Sequence, residues 1–146
     1  MLRQAGAEGA PRYTARMRVQ LGQVGHFGLT VNDPDAAARW WTEHFDLEEI
    51  FRFEDGVGLS NDAITIVLHK GKPDPSILGH MSFHVADMKT LRAALKALRY
   101  SGVDLEDHGD EIGPEAEGSP HLGLWFHDPD GYRWELSVQN GANKRQ

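Results

Sequence analysis

Gly25-His26-Phe27-Gly28-Leu29-Thr30-Val31-Asn32-Asp33 returns 54 positions later as Gly79-His80-Met81-Ser82-Phe83-His84-Val85-Ala86-Asp87. Gly, His, Val and Asp are identical at matching places, and Phe27/Met81 and Leu29/Phe83 keep their apolar character. Each copy alternates in polarity, as a strand with one buried face does, and each ends in an Asp that opens a helical pattern. One strand used twice, each time beginning with a histidine, predicts two modules about a pseudo-twofold axis, with the two imidazoles placed around it. Two such histidines are half of a metal site, and Glu135 near the C-terminus is a candidate third ligand.

Outward from these strands, Asp33-Pro34 provides an N-cap followed by proline at the first helical position. The predicted helix runs through Ala36, Ala37, Trp40, Trp41 and His44. Short strands follow near 48–53, 57–60 and 63–70, punctuated by the turn-prone Asp55-Gly56 and Asn61-Asp62. Residues 70–78, with Gly71, Pro73 and Pro75, read as a linker. The second half repeats the plan. A strand over 79–85 leads to Asp87 as N-cap, then to a helix with Leu91, Ala94, Leu95 and Leu98 at core spacing, closed by Ser101-Gly102. Strands near 103–107, 121–127 and 132–139 follow, the last two joined by Asp128-Pro129-Asp130-Gly131, and one more strand is expected near residue 112. The fold class is α+β, in which strand, helix and three strands occur twice.

A chain of 146 residues suits one domain of two half-size modules. The expected organisation is a flexible extension over 1–20, one domain over 21–141 with modules about 23–71 and 78–140, and a tail over 142–146. Net charge is −7, which disfavours a nucleic-acid partner, since phosphate binding rests on clustered Lys and Arg. The absence of cysteine excludes disulfides, thiolate ligands and a Cys nucleophile, leaving His and carboxylates as ligands. The longest aliphatic run, Ala63 to Leu68, is far too short to span a membrane. The first 18 residues carry Arg3, Arg12, Arg16 and Arg18 against Glu8 and lack the apolar core of a secretory signal. A cytoplasmic protein with no membrane partner is the expectation.

Strand parity sorts the side chains by face. Phe27, Leu29 and Val31 oppose His26, Gly28 and Thr30; Met81, Phe83 and Val85 oppose His80, Ser82 and His84. In the last strand Tyr132, Trp134, Leu136 and Val138 oppose Arg133, Glu135, Ser137 and Gln139. The apolar faces suit packing under the two helices. The other faces are too polar for a second core and rich in His and Glu, as in a sheet curled around a polar cleft. A buried Glu135 would be costly unpaired, and a metal relieves that cost.

The run Phe126-His127-Asp128-Pro129-Asp130-Gly131-Tyr132-Arg133-Trp134-Glu135-Leu136, with the paired Gly-His strands, resembles the vicinal oxygen chelate superfamily. That superfamily includes glyoxalase I, bleomycin-resistance proteins, fosfomycin-resistance enzymes and extradiol dioxygenases. The resemblance spans roughly residues 23–139. It implies two βαβββ modules forming a cupped mixed sheet, commonly completed in a homodimer. It also implies a divalent cation (Fe²⁺, Mn²⁺, Ni²⁺ or Zn²⁺) on His26, His80 and Glu135. Many members add a fourth ligand at the end of the first module. Counting back from Gly71 as Glu135 is counted back from Gly141 gives Thr65 there, a poor ligand that departs from the glyoxalase I pattern. Extradiol dioxygenases place a Tyr where this chain has Trp125.

A 2-His-1-carboxylate set leaves coordination positions open for adjacent oxygens of a small substrate. His84 and His69 are candidate catalytic bases, and Arg133 is a candidate holder of an anionic group. Trp40, Trp41 and Trp125 fit aromatic cleft walls or core packing. The favoured reading is a metal-dependent lyase, isomerase or dioxygenase of glyoxalase/dioxygenase type. The alternative is a metal-free binding protein of bleomycin-resistance type that sequesters a small molecule. A homodimer is expected as well, because sheets of this size leave edges and an open cleft that a second copy covers.

Overall fold

The computed structural model describes residues 18–106, 112–114 and 116–139, so the terminal segments and residues 107–111 and 115 lie outside the description. The first module comprises β1 (Phe27–Val31), α1 (Pro34–His44), β2 (Glu48–Phe53), β3 (Gly56–Ser60) and β4 (Thr65–Lys70). A 3₁₀ turn over Pro75–Ile77 joins it to β5 (Met81–His84), α2 (Met88–Tyr100), β6 (Asp104–Leu105), β7 (Leu122–His127) and β8 (Arg133–Val138). Each module forms a four-stranded mixed sheet, ordered β1-β4-β3-β2 and β5-β8-β7-β6. The repeated strand is thus an edge of its own sheet both times, paired in parallel with the last strand of its module. No helix among the described residues is long and apolar enough to cross a membrane.

The two helices begin where the caps place them. Asp33 accepts from the Asp35 and Ala36 amides at 3.0 and 3.2 Å, with Pro34 in the first turn. Asp87 accepts from Thr90 at 2.8 Å. The second helix closes with Gly102 at φ 78° and Val103 N–H bonded back to Leu98, a left-handed stop that glycine adopts without a Cβ clash. The strand expected near residue 112 is absent among the described residues. Gly113 makes only an isolated bridge to Gly123, and β6, β7 and β8 already complete the module's three strands after its helix.

One core serves both modules. Trp41 on α1 meets Trp134 on β8 edge-on at 5.1 Å between ring centres, and Phe45 stacks on Phe126 at 5.3 Å. Phe27 and Phe83, on the repeated strand of each module, lie 6.4 Å apart. Trp41 therefore belongs to the core, and Trp40 packs half-buried against Phe45 and Phe126. Each fully buried large side chain of this kind contributes about 1.5–3 kcal/mol over exposure.

The turn between β7 and β8 ties the halves together. Asp128 is buried, and its carboxylate accepts N–H bonds from Asp130, Tyr132 and the Trp134 indole, each at 3.0 Å. Next to it, Asp130 accepts from the Asn32 amide at 3.0 Å, and the Tyr132 hydroxyl donates to the Thr30 carbonyl at 2.6 Å. The Asp74 amide of the linker donates in turn to that hydroxyl.

Burial raises the Asp128 pKa above the ordinary 3.8, outweighing the N–H donors that favour its charged form. The folded state then holds this proton more tightly than the unfolded chain. The Asp128 contribution to stability falls as pH rises from about 3.8 to the raised value, and is level above it. In Asp128→Asn that pH-dependent component is expected to disappear. The amide must also set an NH₂ against an N–H donor whichever way it turns. Urea unfolding at pH 7 should show a loss of about 1–3 kcal/mol, the cost of an unpaired buried donor.

Candidate functional site

Because Trp134, Leu136 and Val138 point into the core, alternation sends Arg133, Glu135 and Ser137 to the other face of β8. The cross-strand pairs extend this face sideways. Ser82 and His84 on β5 lie opposite Glu135 and Ser137, and on β7 Gly123, Trp125 and His127 lie opposite Ser137, Glu135 and Arg133. At the head of β5, His80 Nε2 sits 3.9 Å from Glu135 Oε1. Two donors bonded to one first-row divalent ion at about 2.0–2.2 Å can be no more than about 4.3 Å apart, so this pair is within reach of a single cation. Glu135 is 4% exposed, and His80 is half-buried. A carboxylate this dry is stable only with a positive or hydrogen-bonding partner.

The remainder of the face is polar and internally connected. Ser82 and Ser137 share a hydrogen bond at 2.6 Å, and Gln139 donates to Ser137. Arg133 donates to Glu106 through Nε, and its guanidinium stands 5.6 Å from the centre of the Trp125 ring. His127 lies within 3.9 Å of both Asp104 and Glu106. Arg133, a candidate anion holder from the sequence, is thus already engaged by a carboxylate of its own sheet. Trp125 is buried, and its Nε1–H has no hydrogen-bond partner among the described residues.

His26 lies elsewhere. It precedes β1 on the other sheet, is exposed, and stands one residue before the Phe27–Ile66 pair. Among the described residues no group of three His, Asp or Glu side chains able to hold a metal occurs within one chain. The same sheet carries His69, exposed and packed against Phe53 at 5.3 Å between rings. Phe51 and Phe53 lie over Gly58 and Gly56 on this face, where a Cβ at either glycine would meet a phenyl carbon at 2.1 Å. His84 is on neither of these surfaces alone. It is exposed at the free edge of β5 and borders a groove of about 820 Å³ walled by Trp41, Phe45, Ile64, Phe83 and Leu98.

Strand register corrects one expectation. Gly28 pairs with Val67 as Ser82 pairs with Glu135, so the position matching Glu135 in the first module is Val67, not Thr65. Thr65 instead bonds Ser60 at 2.8 Å. Counting back from Gly71 and Gly141 assumed equal spacing from each strand to the glycine after it, and the two modules differ there. Neither residue supplies a carboxylate or an imidazole at the fourth-ligand position. Gly123, Glu106 and His127 escaped the sequence reading, although alternation along 121–127 sets Gly123, Trp125 and His127 on the face opposite Leu122, Leu124 and Phe126.

The family model described as the Glyoxalase/Bleomycin resistance protein/Dioxygenase superfamily matches residues 23–136. Among curated protein sequences none matches. Solved structures agree in fold at low identity. The fosfomycin resistance protein FosX from Listeria monocytogenes, in a crystal structure with Mn(II) and sulfate, is 18% identical with a TM-score of 0.65, over 83% of this chain and 93% of that one. A virulence protein of Salmonella typhimurium is 19% identical with a TM-score of 0.65, over 83% and 99%. A glyoxalase/bleomycin resistance protein/dioxygenase from Nocardioides is 14% identical with a TM-score of 0.68, over 91% and 93%.

Proposed function

The chain belongs to the Glyoxalase/Bleomycin resistance protein/Dioxygenase superfamily, and from that premise we propose that it is a metal-dependent enzyme acting on a small molecule with adjacent oxygens. The observation that carries this reading is the 3.9 Å approach of His80 Nε2 to Glu135 Oε1, with the carboxylate dry and the imidazole half-buried. His80 and Glu135 would hold a divalent cation, with Mn²⁺, Fe²⁺, Ni²⁺ or Zn²⁺ suited to such nitrogen and oxygen donors. FosX, bound to Mn(II), makes Mn²⁺ the first ion to try. Bound there, the ion would polarise the substrate oxygens and stabilise negative charge developing on them.

The third ligand would be His26 of the partner subunit in a homodimer. Among the described residues both β1 and β5 are sheet edges, and His26 and His80 stand at the heads of those two edges. Pairing β1 of one copy with β5 of another, heads aligned, would bring His26 and His80 of different copies together, and a twofold axis would repeat that contact on the other side. Ile50, Phe51 and Phe53, exposed on β2, supply apolar surface that such an assembly would cover in part. His69 would then join the site from the same sheet as the partner's His26, and His84 from the edge itself. Either imidazole would be placed to act as a general base toward the substrate. Arg133, oriented by Glu106 and the Trp125 ring, would fix an anionic group of the substrate. With Val67 in place of a fourth carboxylate, glyoxalase I chemistry is not the favoured reaction.

Titration of the purified protein with Mn²⁺, followed by electron paramagnetic resonance, is expected to give one tight site per chain. His80→Ala or Glu135→Gln should weaken it more than about 100-fold, beyond the 10–100-fold typical of outer-shell changes. A wild-type protein that takes up no divalent metal would instead favour the sequestering reading. Sharing of the site is checked by co-expressing His26→Ala with Glu135→Gln. Each variant alone should fail to bind, whereas mixed dimers should regain one intact site. If the mixture stays as inactive toward Mn²⁺ as its components, His26 does not act across the dimer.

A further inference from the structure

Gly123 lies on β7, diagonally across from Glu135, and the two are in closer contact than their strand positions require. A Cβ built on Gly123 would stand 2.5 Å from Glu135 Oε2 and 2.9 Å from its Cδ, with the Leu136 carbonyl oxygen at 2.8 Å. The carboxylate therefore occupies the space that any side chain at 123 would fill. Its other oxygen is the one that approaches His80. Gly123 has no unusual backbone angle to explain its identity; the positive-φ glycines among the described residues are Gly102, Gly118 and Gly131. Gly113, its bridge partner through two backbone hydrogen bonds, has nothing within 4 Å of its own Cβ position. Of this bridged pair, only the residue beneath the carboxylate requires a bare Cα.

From this geometry we infer that Gly123 is a positioning residue, a bed on which the Glu135 carboxylate lies so that its free oxygen is turned toward His80. The inference rests on the metal-site reading for its consequence, though not for its geometry. Alanine at 123 pushes first on the far end of a side chain, which yields by rotation, and then on one backbone carbonyl that must give by a few tenths of an ångström. Glu135 is enclosed by Trp125, Ser82 and the strand pair, so a carboxylate displaced from Gly123 leaves the line to His80. Shortening that side chain by one methylene withdraws it from position 123 and makes room for the methyl group.

The test compares Gly123→Ala, Glu135→Asp, the double variant and Gly113→Ala, each by thermal melting, crystal structure and Mn²⁺ titration. Gly113→Ala should fold and bind Mn²⁺ as the wild type does. Gly123→Ala should fold, show the Glu135 carboxylate rotated away from His80, and bind Mn²⁺ at least about tenfold more weakly. In the double variant the second change should cost little beyond the first, because the shorter acid relieves the clash. Unchanged Glu135 geometry in Gly123→Ala, or equal Mn²⁺ affinity in it and the wild type, overturns the inference. So do fully additive losses in the double variant. A wild type that binds no Mn²⁺ sinks the metal reading, while the Gly123→Ala structure still decides the role of Gly123.

Discussion

The Asp128 carboxylate gathers three N–H donors at 3.0 Å inside the turn between β7 and β8, and much else in the molecule follows from that cluster. By holding the Trp134 indole it sets which side of β8 faces the core. Trp134 then meets Trp41, Phe27 and Phe83 from three other elements. The same turn reaches the first module through Asp130 to Asn32 and Tyr132 to Thr30, both near the end of the repeated strand. A hairpin turn is thus also the clasp between modules. Its cost is a buried acid with a raised pKa, offset by donors that would otherwise be unpaired.

Once Trp134 is fixed inward, Glu135 has only the other face available, and the neighbouring strands decide how it sits there. β5 supplies His80 and Ser82 on one side, and β7 supplies Gly123 and Trp125 on the other. The result is a buried carboxylate with one oxygen turned toward an imidazole. The two ligand-type side chains stand on or next to paired strands, which is a stiffer support than a loop provides. The second sheet repeats the pattern without the acid: Val67 fills the matching position, and the surface beside it is covered by Phe51 and Phe53 lying on glycines. The two halves share an architecture, yet only one carries the carboxylate.

Much of this was legible in the chain itself. The repeat gave both edge strands in register, Asp33 and Asp87 marked the helix starts, and Ser101-Gly102 marked a helix end, because each rests on local chemistry that tertiary contacts do not alter. Glu135 opposite a core tryptophan followed from parity. What stayed hidden depends on how strands pair. The choice between Thr65 and Val67 turns on where β4 slides against β1, which a count from glycines cannot see. The role of Gly123 lies in a side chain it does not have, and only the placement of Glu135 above it reveals why.

The proposed metal centre has His80 and Glu135 as its fixed half and is completed by a second copy of the chain. It is tested most directly by anomalous diffraction from crystals grown with Mn²⁺. The expected map has one peak per chain, lying between His80 Nε2 and Glu135 Oε1 with a His26 imidazole of the partner subunit bonded to it. A peak at other residues, or one at this pair whose third protein ligand comes from the same chain, would contradict the account.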